Sequence, residues 1–312
     1  MPTLAATALL DRMSPKRPDK DWVDAQLASP TVKILPFCDL KPVITPGPDR
    51  TSAKLRWLSR HEATQLGLPE DRALFLGVSR DDGTPHFAIA ISEHEAQRLE
   101  GAAQYLRPSV DLRSLAMQGV LSSAEQSLAG KARALAQWHE NSSYCGKCGA
   151  PSQMMDGGWR RKCTGCGMDH FPRTDPVVIM LVTDGERCIM AHEYRYANNM
   201  WSTLAGFLEP GEDIEHAVRR EVLEETNIKV GRVDYLQSQP WPFPHSLMMG
   251  CIAHAETTDI TVDKTELAEA RWFTRDEARM MLEGSHPEGL TAPGRHAIAH
   301  ILVKAFVEGR TA

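Results

Sequence analysis

The sequence predicts an α+β protein in three parts: a mixed N-terminal domain, a short cysteine-bearing ribbon and a C-terminal domain of strands and helices. Two observations support this. From residue 176 onward, apolar runs typical of strands alternate with helical periodicity. Residues 141–172 contain four cysteines among glycines and polar residues, and this segment is too short to form a hydrophobic core. We therefore divide the chain into residues 1–140, 141–172 and 173–312.

The composition is that of a globular protein. Of the 312 residues, 42% are hydrophobic and 24% are charged, which excludes disordered, collagen-like and coiled-coil classes. The net charge of −6 argues against a nucleic-acid binder with a broadly basic surface. No apolar run approaches the ~20 residues that cross a bilayer. The apolar stretch Leu4–Leu10 lacks the basic leader of a signal peptide, so we expect a cytoplasmic protein with no membrane partner.

The first part of the chain carries no recognisable motif. Apolar runs at Ala73–Val78 and His86–Ile91 predict two strands, and Asp81-Asp82-Gly83 predicts a turn between them. Apolar residues at three- and four-residue spacing from Ala124 to Trp138 predict a helix. These elements predict a small mixed domain and indicate no function.

Four of the seven cysteines have the spacing of a structural zinc site. Cys145 and Cys148 form one pair, Cys163 and Cys166 form the other, and each pair offers two thiolates from a tight turn. Four sulfur ligands leave Zn²⁺ no open position, so one structural zinc per chain is expected. A redox dithiol and an iron–sulfur centre are the alternatives. Nearby basic residues either bind nucleic acid or form a solvated face: Arg160, Arg161, Lys162 and Arg173.

The other three cysteines stand alone in the sequence. An odd total in a chain without a secretion signal argues against a disulfide framework. Two of the three lie in apolar, strand-like runs, so we expect all three to be small buried residues: Cys38, Cys188 and Cys251.

The third part of the chain alternates strands with helices. A hairpin turn is predicted at Asp184-Gly185, and a helix from Ile214 to Thr226, after a glycine-containing loop. Two further helices close the chain. The predicted strands are Val177–Val182, Cys188–His192, Val230–Gln239, Leu247–Ala255 and Ala270–Phe273.

The helix Ile214–Thr226 carries carboxylates on its apolar face. At about 100° per residue, Glu221 and Glu225 fall within the apolar stripe, with Glu224 beside it. Carboxylates that share an interior face repel one another and are costly to desolvate unless a cation neutralises them. Hard oxygen ligands favour Mg²⁺ or Mn²⁺. The alternative is an exposed acidic helix with incidental spacing.

This region resembles the Nudix box. The stretch from Gly206 through Glu212 and Arg220 to Ile228 fits Gly-x5-Glu-x7-Arg-Glu-U-x-Glu-Glu-x-Gly-U, where U is apolar, at every position but one. Asn227 stands where the family has glycine, and asparagine is the residue next most able to adopt left-handed backbone angles. The resemblance implies an α/β/α sandwich and metal-dependent attack of water on a phosphorus atom.

A second motif follows the box. Ser238 to Ser246 read Ser-Gln-Pro-Trp-Pro-Phe-Pro-His-Ser, in which prolines favour an extended backbone that presents Trp241 and Phe243 to a planar base. A rigid corner with buried aromatic residues is the alternative. Together with the cysteine ribbon and the box, this run resembles the signature of NADH pyrophosphatases, with His245 at its variable position. The resemblance implies hydrolysis of NADH or NAD to AMP and nicotinamide mononucleotide, and removal of NAD caps from RNA.

The resemblance also implies roles for single residues. Glu221 and Glu225 match metal-binding carboxylates, Glu225 also matches the catalytic base, and Glu224 belongs to the same catalytic cluster. Ala205 matches a position whose carbonyl group holds metal, and Glu266 matches a further metal carboxylate. The implied substrate contacts are Phe171, Phe207, Ser238, Gln239, Pro240, Trp241, Pro242, Phe243, Pro244, His245, Ser246 and Ala299.

The resemblance also implies a homodimer, in which Phe171 reaches across the interface. At this position we expect tyrosine in close relatives of the chain.

Two rival functions remain. An inactive zinc-ribbon RNA-binding module is one, against which the intact acidic helix argues. A Nudix enzyme for ADP-ribose or dinucleoside polyphosphates is the other, against which the complete aromatic–proline run argues. The candidate substrates are NADH, NAD and the NAD-capped end of RNA.

Overall fold

The structure is a computed structural model that describes residues 9–49, 51–99, 105–106, 109–196 and 199–311. Within these ranges the chain forms two compact units. The first contains the residues up to Arg173 together with Pro242–Pro244, and the second contains Thr174–Trp241 and the residues from His245 onward. Of the apolar stretch Leu4–Leu10, residues 4–8 lie outside the described ranges. Within those ranges, every helix is too short or too polar to cross a membrane.

The first unit contains a five-stranded sheet and a two-stranded ladder. Its strands are β1 (Leu10–Asp11), β2 (Lys33–Cys38), β3 (Lys41–Pro42), β4 (Ile44–Pro46), β5 (Ala53–Leu55), β6 (Leu74–Ser79) and β7 (Pro85–Ile91). The sheet has the order β1-β6-β7-β2-β3, and β4 pairs with β5. Strands β2 and β7 run parallel, and the other neighbours run antiparallel. The two strands predicted in this region are confirmed as β6 and β7.

Five described helices pack in the first unit. They are α1 (Lys20–Leu27), α2 (Arg60–Gln65), α3 (Glu93–Arg98), α4 (Leu112–Gln118) and α5 (Ser123–Asn141). The longest, α5, starts at a capping box in which Ser122 and Glu125 bond each other's backbone N–H groups. It confirms the predicted helix, and the apolar residues whose spacing predicted it are buried: Leu128, Ala132, Leu135 and Trp138.

The cysteine segment forms its own small sheet within the first unit. Three strands, β8 (Ser152–Met155), β9 (Arg160–Cys163) and β10 (Asp169–His170), pair antiparallel in the order β10-β9-β8. Two of the four cysteines, Cys145 and Cys163, are buried, whereas Cys148 and Cys166 are exposed.

The second unit is a layered sandwich around one sheet. Its elements are β11 (Asp175–Thr183), β12 (Arg187–Glu193), β13 (Leu204–Phe207), α6 (Ile214–Thr226), β14 (Val230–Trp241), β15 (Ser246–Ala255), β16 (Leu267–Thr274), α7 (Arg275–Glu283) and α8 (Ile298–Val307). The sheet has the order β14-β15-β11-β12-β16, and β13 pairs with β11. The central strands β11 and β15 run parallel.

The strand β11 separates the two cores of this sandwich. Because successive strand residues point to opposite faces, Val178 and Met180 pack with α6 residues such as Val222, whereas Ile179 packs with Leu302 of α8. Helices therefore cover both faces of the sheet, which confirms the predicted sandwich. The isolated cysteines are buried, as expected: Cys38, Cys188 and Cys251.

The aromatic–proline run departs from the prediction in its centre. Trp241 ends β14, residues 242–245 form a turn, and Ser246 begins β15. An extended backbone throughout the run was therefore the wrong prediction. The reason is that the two flanks of the run pair with each other: Gln239 lies opposite Met248, and Trp241 lies opposite Ser246.

Candidate functional site

The helix α6 is fixed at both ends by its own sequence. Asp213 caps its start by accepting a hydrogen bond from the His216 N–H group. Asn227 ends it with φ 60° and ψ 15°, and its N–H group donates to the Leu223 carbonyl oxygen. Asparagine therefore takes the left-handed angles that the motif assigns to glycine, and the loop geometry survives the substitution.

Two glutamates of α6 point into the protein interior. Glu221 and Glu225 are 9% and 5% exposed, whereas Glu224 is exposed. A Cβ atom added at Gly206 would lie 1.8 Å from Cδ of Glu221, so any larger residue at this point of β13 would displace the Glu221 side chain. The Oε2 atom of Glu225 is buried and has no hydrogen-bond partner among the described residues. A buried acceptor without a partner is costly unless a ligand satisfies it.

The surroundings of these carboxyl groups disfavour negative charge. Burial, followed by the charges of Glu221 and Glu266, raises the pKa of Glu225 to about 8. Burial also raises the pKa of Glu221, although hydrogen bonding to Arg220 opposes the change. A cation placed between these groups would restore their ionised form, because it lowers the pKa of nearby acids.

Arg220 holds the box together. Its guanidinium group donates to both carboxylate oxygens of Glu212 at 2.7 and 2.8 Å, and to Glu221 at 2.8 Å and Glu224 at 3.0 Å. It also donates to the Phe207 carbonyl oxygen at 2.9 Å. Hydrogen bonding from Arg220 lowers the pKa of Glu212 to about 2. The arginine thus connects the loop, the end of β13 and the helix, and it orients Glu221.

A turn before β16 carries Glu266 to the same place. The Asp263 N–H group donates to the Glu225 carbonyl oxygen at 3.0 Å, and the Glu266 N–H group donates to the Asp263 carbonyl oxygen at 3.3 Å. The Asp263 carboxylate accepts hydrogen bonds from the Thr265 N–H and hydroxyl groups, both at 2.8 Å. Glu266 is therefore tied by the backbone to the helix that carries Glu225.

A pocket of about 300 Å³ opens beside Glu225. It brings together three residues that the sequence predicts as a site, Ala205, Glu225 and Glu266. It also contains residues that the sequence analysis missed, because their only signal is a position at the end of an apolar strand. The missed lining residues are Glu193, Tyr194, Arg195 and Leu267.

The residues of this pocket fit a hard divalent cation. Their potential ligand atoms are oxygens, and one of these, Oε2 of Glu225, is buried without a partner. The pocket is lined by three glutamates but by only one cationic side chain among the described residues. In the described part of the chain, only the four cysteines bring three or more potential ligand atoms within 4.8 Å of one another. The carboxylate oxygens are therefore more widely spaced than that, as mutual repulsion favours.

The four cysteines fit tetrahedral zinc. The Sγ atoms lie 3.7 Å apart between Cys145 and Cys166 and 3.4 Å apart between Cys148 and Cys163. A Zn–S length of about 2.3 Å gives sulfur–sulfur edges of about 3.8 Å. The N–H groups of Gly165 and Cys166 donate to Cys163 Sγ at 3.3 Å, which stabilises a thiolate.

Two of the four basic residues near the cysteines are bonded to neighbouring side chains. Arg160 pairs with Asp156 and Asp169, each at 2.9 Å. Arg161 donates to Ser152 and, at 2.7 Å, to Nδ1 of His139. These two arginines therefore hold the ribbon together and are not a free surface for nucleic acid.

Part of the aromatic–proline run connects β14 to the start of α8. The Gln239 amide nitrogen donates to the His296 carbonyl oxygen at 2.8 Å, and its carbonyl oxygen accepts from the Ile298 N–H group at 2.7 Å. Trp241 stacks on His296 with ring centroids 6.3 Å apart. Ala299 is buried in the core on the opposite face of the sheet from α6. Neither Gln239 nor Ala299 lines the acidic pocket.

The centre of the run belongs to the first unit. Phe243 packs against the core formed with α5, and Arg133 donates to the Pro242 carbonyl oxygen at 2.6 Å. A Cβ atom added at Gly130 would lie 2.9 Å from Pro242 Cγ. Pro244 follows in the same segment. Substrate contacts by these residues stay a prediction.

The remaining predicted contacts are placed as follows. Phe171 and Phe207 are 64% and 59% exposed, which leaves both rings accessible. His245 Nδ1 lies 3.3 Å from a carboxylate oxygen of Asp175. Ser238, Pro240 and Ser246 are paired residues of β14 and β15: they lie opposite Met249, Leu247 and Trp241.

Comparison with known families accounts for most of the chain. Residues 173–292 match the NUDIX domain, residues 32–138 match the NADH pyrophosphatase-like rudimentary NUDIX domain, and residues 140–171 match the NADH pyrophosphatase zinc ribbon domain.

Individual proteins show the same similarity. The NAD-capped RNA hydrolase NUDT12 of Macaca fascicularis is 37% identical over 96% of this chain and 72% of its own length. The mitochondrial NAD(P)H pyrophosphatase NUDT13 of Mus musculus is 39% identical over 61% of this chain and 57% of its own length. A NUDIX hydrolase structure from Nitrosomonas europaea, 22% identical, covers 54% of this chain and 92% of its own with a TM-score of 0.43.

Proposed function

The chain belongs to the NADH pyrophosphatase group of the Nudix hydrolases, and from that premise we propose that it hydrolyses the diphosphate of NADH and NAD to AMP and nicotinamide mononucleotide and removes the NAD cap from RNA. The supporting observation is the buried, unpartnered Oε2 atom of Glu225 in a pocket shared with Ala205 and Glu266. The relatives are named for the same two activities.

The pocket requires a cation before a diphosphate can enter, because carboxylates and phosphates repel each other. Glu221, Glu225, Glu266 and the Ala205 carbonyl group would hold Mg²⁺ or Mn²⁺. Such an ion supplies neutralisation of the phosphate charge and a lower pKa for bound water.

Glu225 accepts the proton of the attacking water at Oε2. Its burial keeps bulk water from the carboxylate. A cation bound beside it would keep Glu225 ionised and therefore able to accept that proton. Glu221 and Glu224 are held by Arg220 at 2.8 and 3.0 Å, which fixes their direction relative to the substrate.

Substrate recognition extends beyond the pocket. Trp241 stacks on His296 and so has a fixed ring plane, and Phe207 ends β13 one residue after Gly206 with an exposed ring. Flat, preset rings of this kind bind a base by stacking. We also propose that Phe171 contacts the substrate across the interface of a homodimer.

The protein is cytoplasmic in this proposal and binds one zinc ion per protomer. Its three parts are residues 1–140, 141–172 and 173–312.

Product analysis of the full chain tests the proposed function. The protein is incubated with NADH, with NAD-capped RNA and with ADP-ribose, each with Mg²⁺, with Mn²⁺ and without added metal. We expect equal amounts of AMP and reduced nicotinamide mononucleotide from NADH, and RNA with a 5′-monophosphate from capped RNA, only with metal. RNA with a 5′-triphosphate is the control and should stay intact. A higher kcat/KM for ADP-ribose than for NADH would favour the other specificity, and an absence of turnover would contradict the proposal.

A further inference from the structure

Arg195 is the one cation among the described residues that line the acidic pocket. Three of the other lining residues are glutamates: Glu193, Glu225 and Glu266. Surface arginines beside a carboxylate are common and of little consequence for stability. An arginine at the mouth of a pocket for a diphosphate is different, because its guanidinium group and the phosphate oxygens are complementary in charge and shape.

The side chain is anchored at one end. Its Nε atom lies 2.6 Å from an oxygen of Glu193, and the other oxygen of Glu193 accepts a hydrogen bond from the Tyr196 hydroxyl group. The guanidinium carbon lies 5.8 Å from the centre of the Tyr196 ring. Glu193 is therefore committed to two neighbours of its own strand end. It holds Arg195 beside the pocket.

Most of the Arg195 side chain is accessible to a ligand, although the guanidinium group also contacts the Tyr196 hydroxyl group. The Arg195 side chain is 78% exposed, and the contact to Glu193 is made by Nε. The terminal nitrogens form the edge of the planar fork with which arginine binds a phosphate through two parallel hydrogen bonds. An anchor at Nε restricts the torsions of the side chain, so less conformational freedom is lost when the ligand binds.

We propose that Arg195 is a substrate-binding residue that receives phosphate oxygens of the diphosphate at the edge of the acidic pocket. This inference rests on the proposed function, because it takes the diphosphate to lie against Glu225 and Glu266. The carboxylates would hold the divalent cation, and Arg195 binds phosphate oxygens directly.

The test compares ligands that carry a phosphate group with one that does not. Dissociation constants of AMP, nicotinamide mononucleotide and adenosine are measured by calorimetry with Mg²⁺ for the wild-type chain and Arg195→Met. We expect the variant to bind at least one of the two mononucleotides about tenfold more weakly, with the affinity for adenosine within twofold, because only adenosine lacks phosphate. KM for NADH should rise by a similar factor.

Arg271→Met is the matched control. Arg271 also pairs with a carboxylate, that of Glu269, and lies 4.9 Å from the Trp201 ring centre, but it does not line the pocket. It should leave all three affinities and KM unchanged. Arg195→Lys should restore part of the affinity. The inference is overturned if Arg195→Met leaves both mononucleotide affinities within twofold of wild type, or weakens adenosine equally.

These results are distinguishable from failure of the proposed function. A wild-type chain that binds AMP but turns over no NADH would contradict the proposed activity, whereas the phosphate-dependent loss in Arg195→Met is read from binding alone. Melting temperatures of the variants show whether the fold is kept, and we expect them to match wild type because the Arg195 side chain is exposed.

Discussion

Glu225 lies on the buried face of α6 with one carboxylate oxygen unpartnered, and Arg220 contacts Glu221 and Glu224 but not Glu225. The side chain therefore depends on a ligand for its charge to be stable. The cation of the proposed function would supply that ligand, and the burial that is unfavourable for folding would then favour proton transfer.

Replacing Glu225 by glutamine keeps its size and removes its basicity. We expect Glu225→Gln to lower kcat for NADH by about 10²–10⁴-fold, the usual contribution of a general base. Zinc content and melting temperature should be at least those of wild type, because a neutral amide relieves the repulsion with Glu221 and Glu266. Steady-state kinetics and atomic absorption check this, and near wild-type turnover would refute the assignment.

The absence of a Cβ atom at Gly206 leaves room for the Glu221 side chain. A methyl group there would collide with Glu221, whose Cδ atom lies 1.8 Å from the added Cβ. We expect Gly206→Ala to displace Glu221, to weaken activation by Mg²⁺ and to lower kcat/KM by at least tenfold. Gly146→Ala is the control, since nothing lies within 4 Å of its added Cβ. Equal Mg²⁺ activation curves for the two variants would show that Glu221 is not needed in this position.

Among the elements, the ribbon formed by β8, β9 and β10 has little apolar material, and its stability depends on two kinds of polar interaction. One is the cysteine tetrahedron. The other is the contact of the ribbon with α5, where His139 accepts a hydrogen bond from Arg161 at Nδ1 and bonds the Gly158 carbonyl oxygen through Nε2. That pattern assigns the proton of the neutral ring to Nε2.

Zinc removal tests the first interaction. We expect Cys148→Ser to lower the zinc content well below one ion per chain and to decrease the melting temperature, because metal binding supplies much of the folding free energy of so small a sheet. Cys38→Ala, which changes a buried cysteine outside the ribbon, should keep the zinc. Full zinc occupancy in Cys148→Ser would contradict the four-cysteine site.

Acid tests the second interaction. Burial lowers the pKa of His139 to about 4, from an ordinary value of 6.5. The unfolded chain therefore binds this proton more readily, and stability present above pH 6.5 is lost as the pH falls from about 6.5 toward 4. Urea unfolding at a series of pH values should show a shallower decline for His139→Gln than for wild type. If the free energy of unfolding falls equally steeply with pH in both proteins, His139 does not contribute to the loss of stability in acid.

For the whole molecule, two compact units share one chain, and the segment Pro242–Pro244 belongs to the first unit although its neighbours on both sides belong to the second. The aromatic–proline run is thus divided between the units. Its ends form β14 and β15, and its centre packs with α5.

The proposed homodimer is a property of the whole molecule. Sedimentation equilibrium should give twice the 34.6 kDa mass of the chain. Because Phe171 is 64% exposed in one protomer, we expect Phe171→Ala to raise KM for NADH with little effect on the melting temperature. Met117→Ala, at another exposed apolar residue, should leave KM unchanged. A monomer at micromolar concentration would contradict the proposed interface.

The sequence alone determined the features that depend on local spacing: the strands β6, β7, β11 and β15, the helix α6 with its asparagine cap, the cysteine quartet, and Glu221 and Glu225 on a buried face. Periodicity and ligand spacing are properties of neighbouring residues, so they can be predicted without the fold. Only the tertiary structure decided that Glu193 and Arg195 join Glu225 and Glu266 in one pocket, and that Gln239 bonds to the residues at the start of α8 and does not line that pocket. Those contacts join residues distant in sequence, and the sheet that brings them together leaves no local pattern.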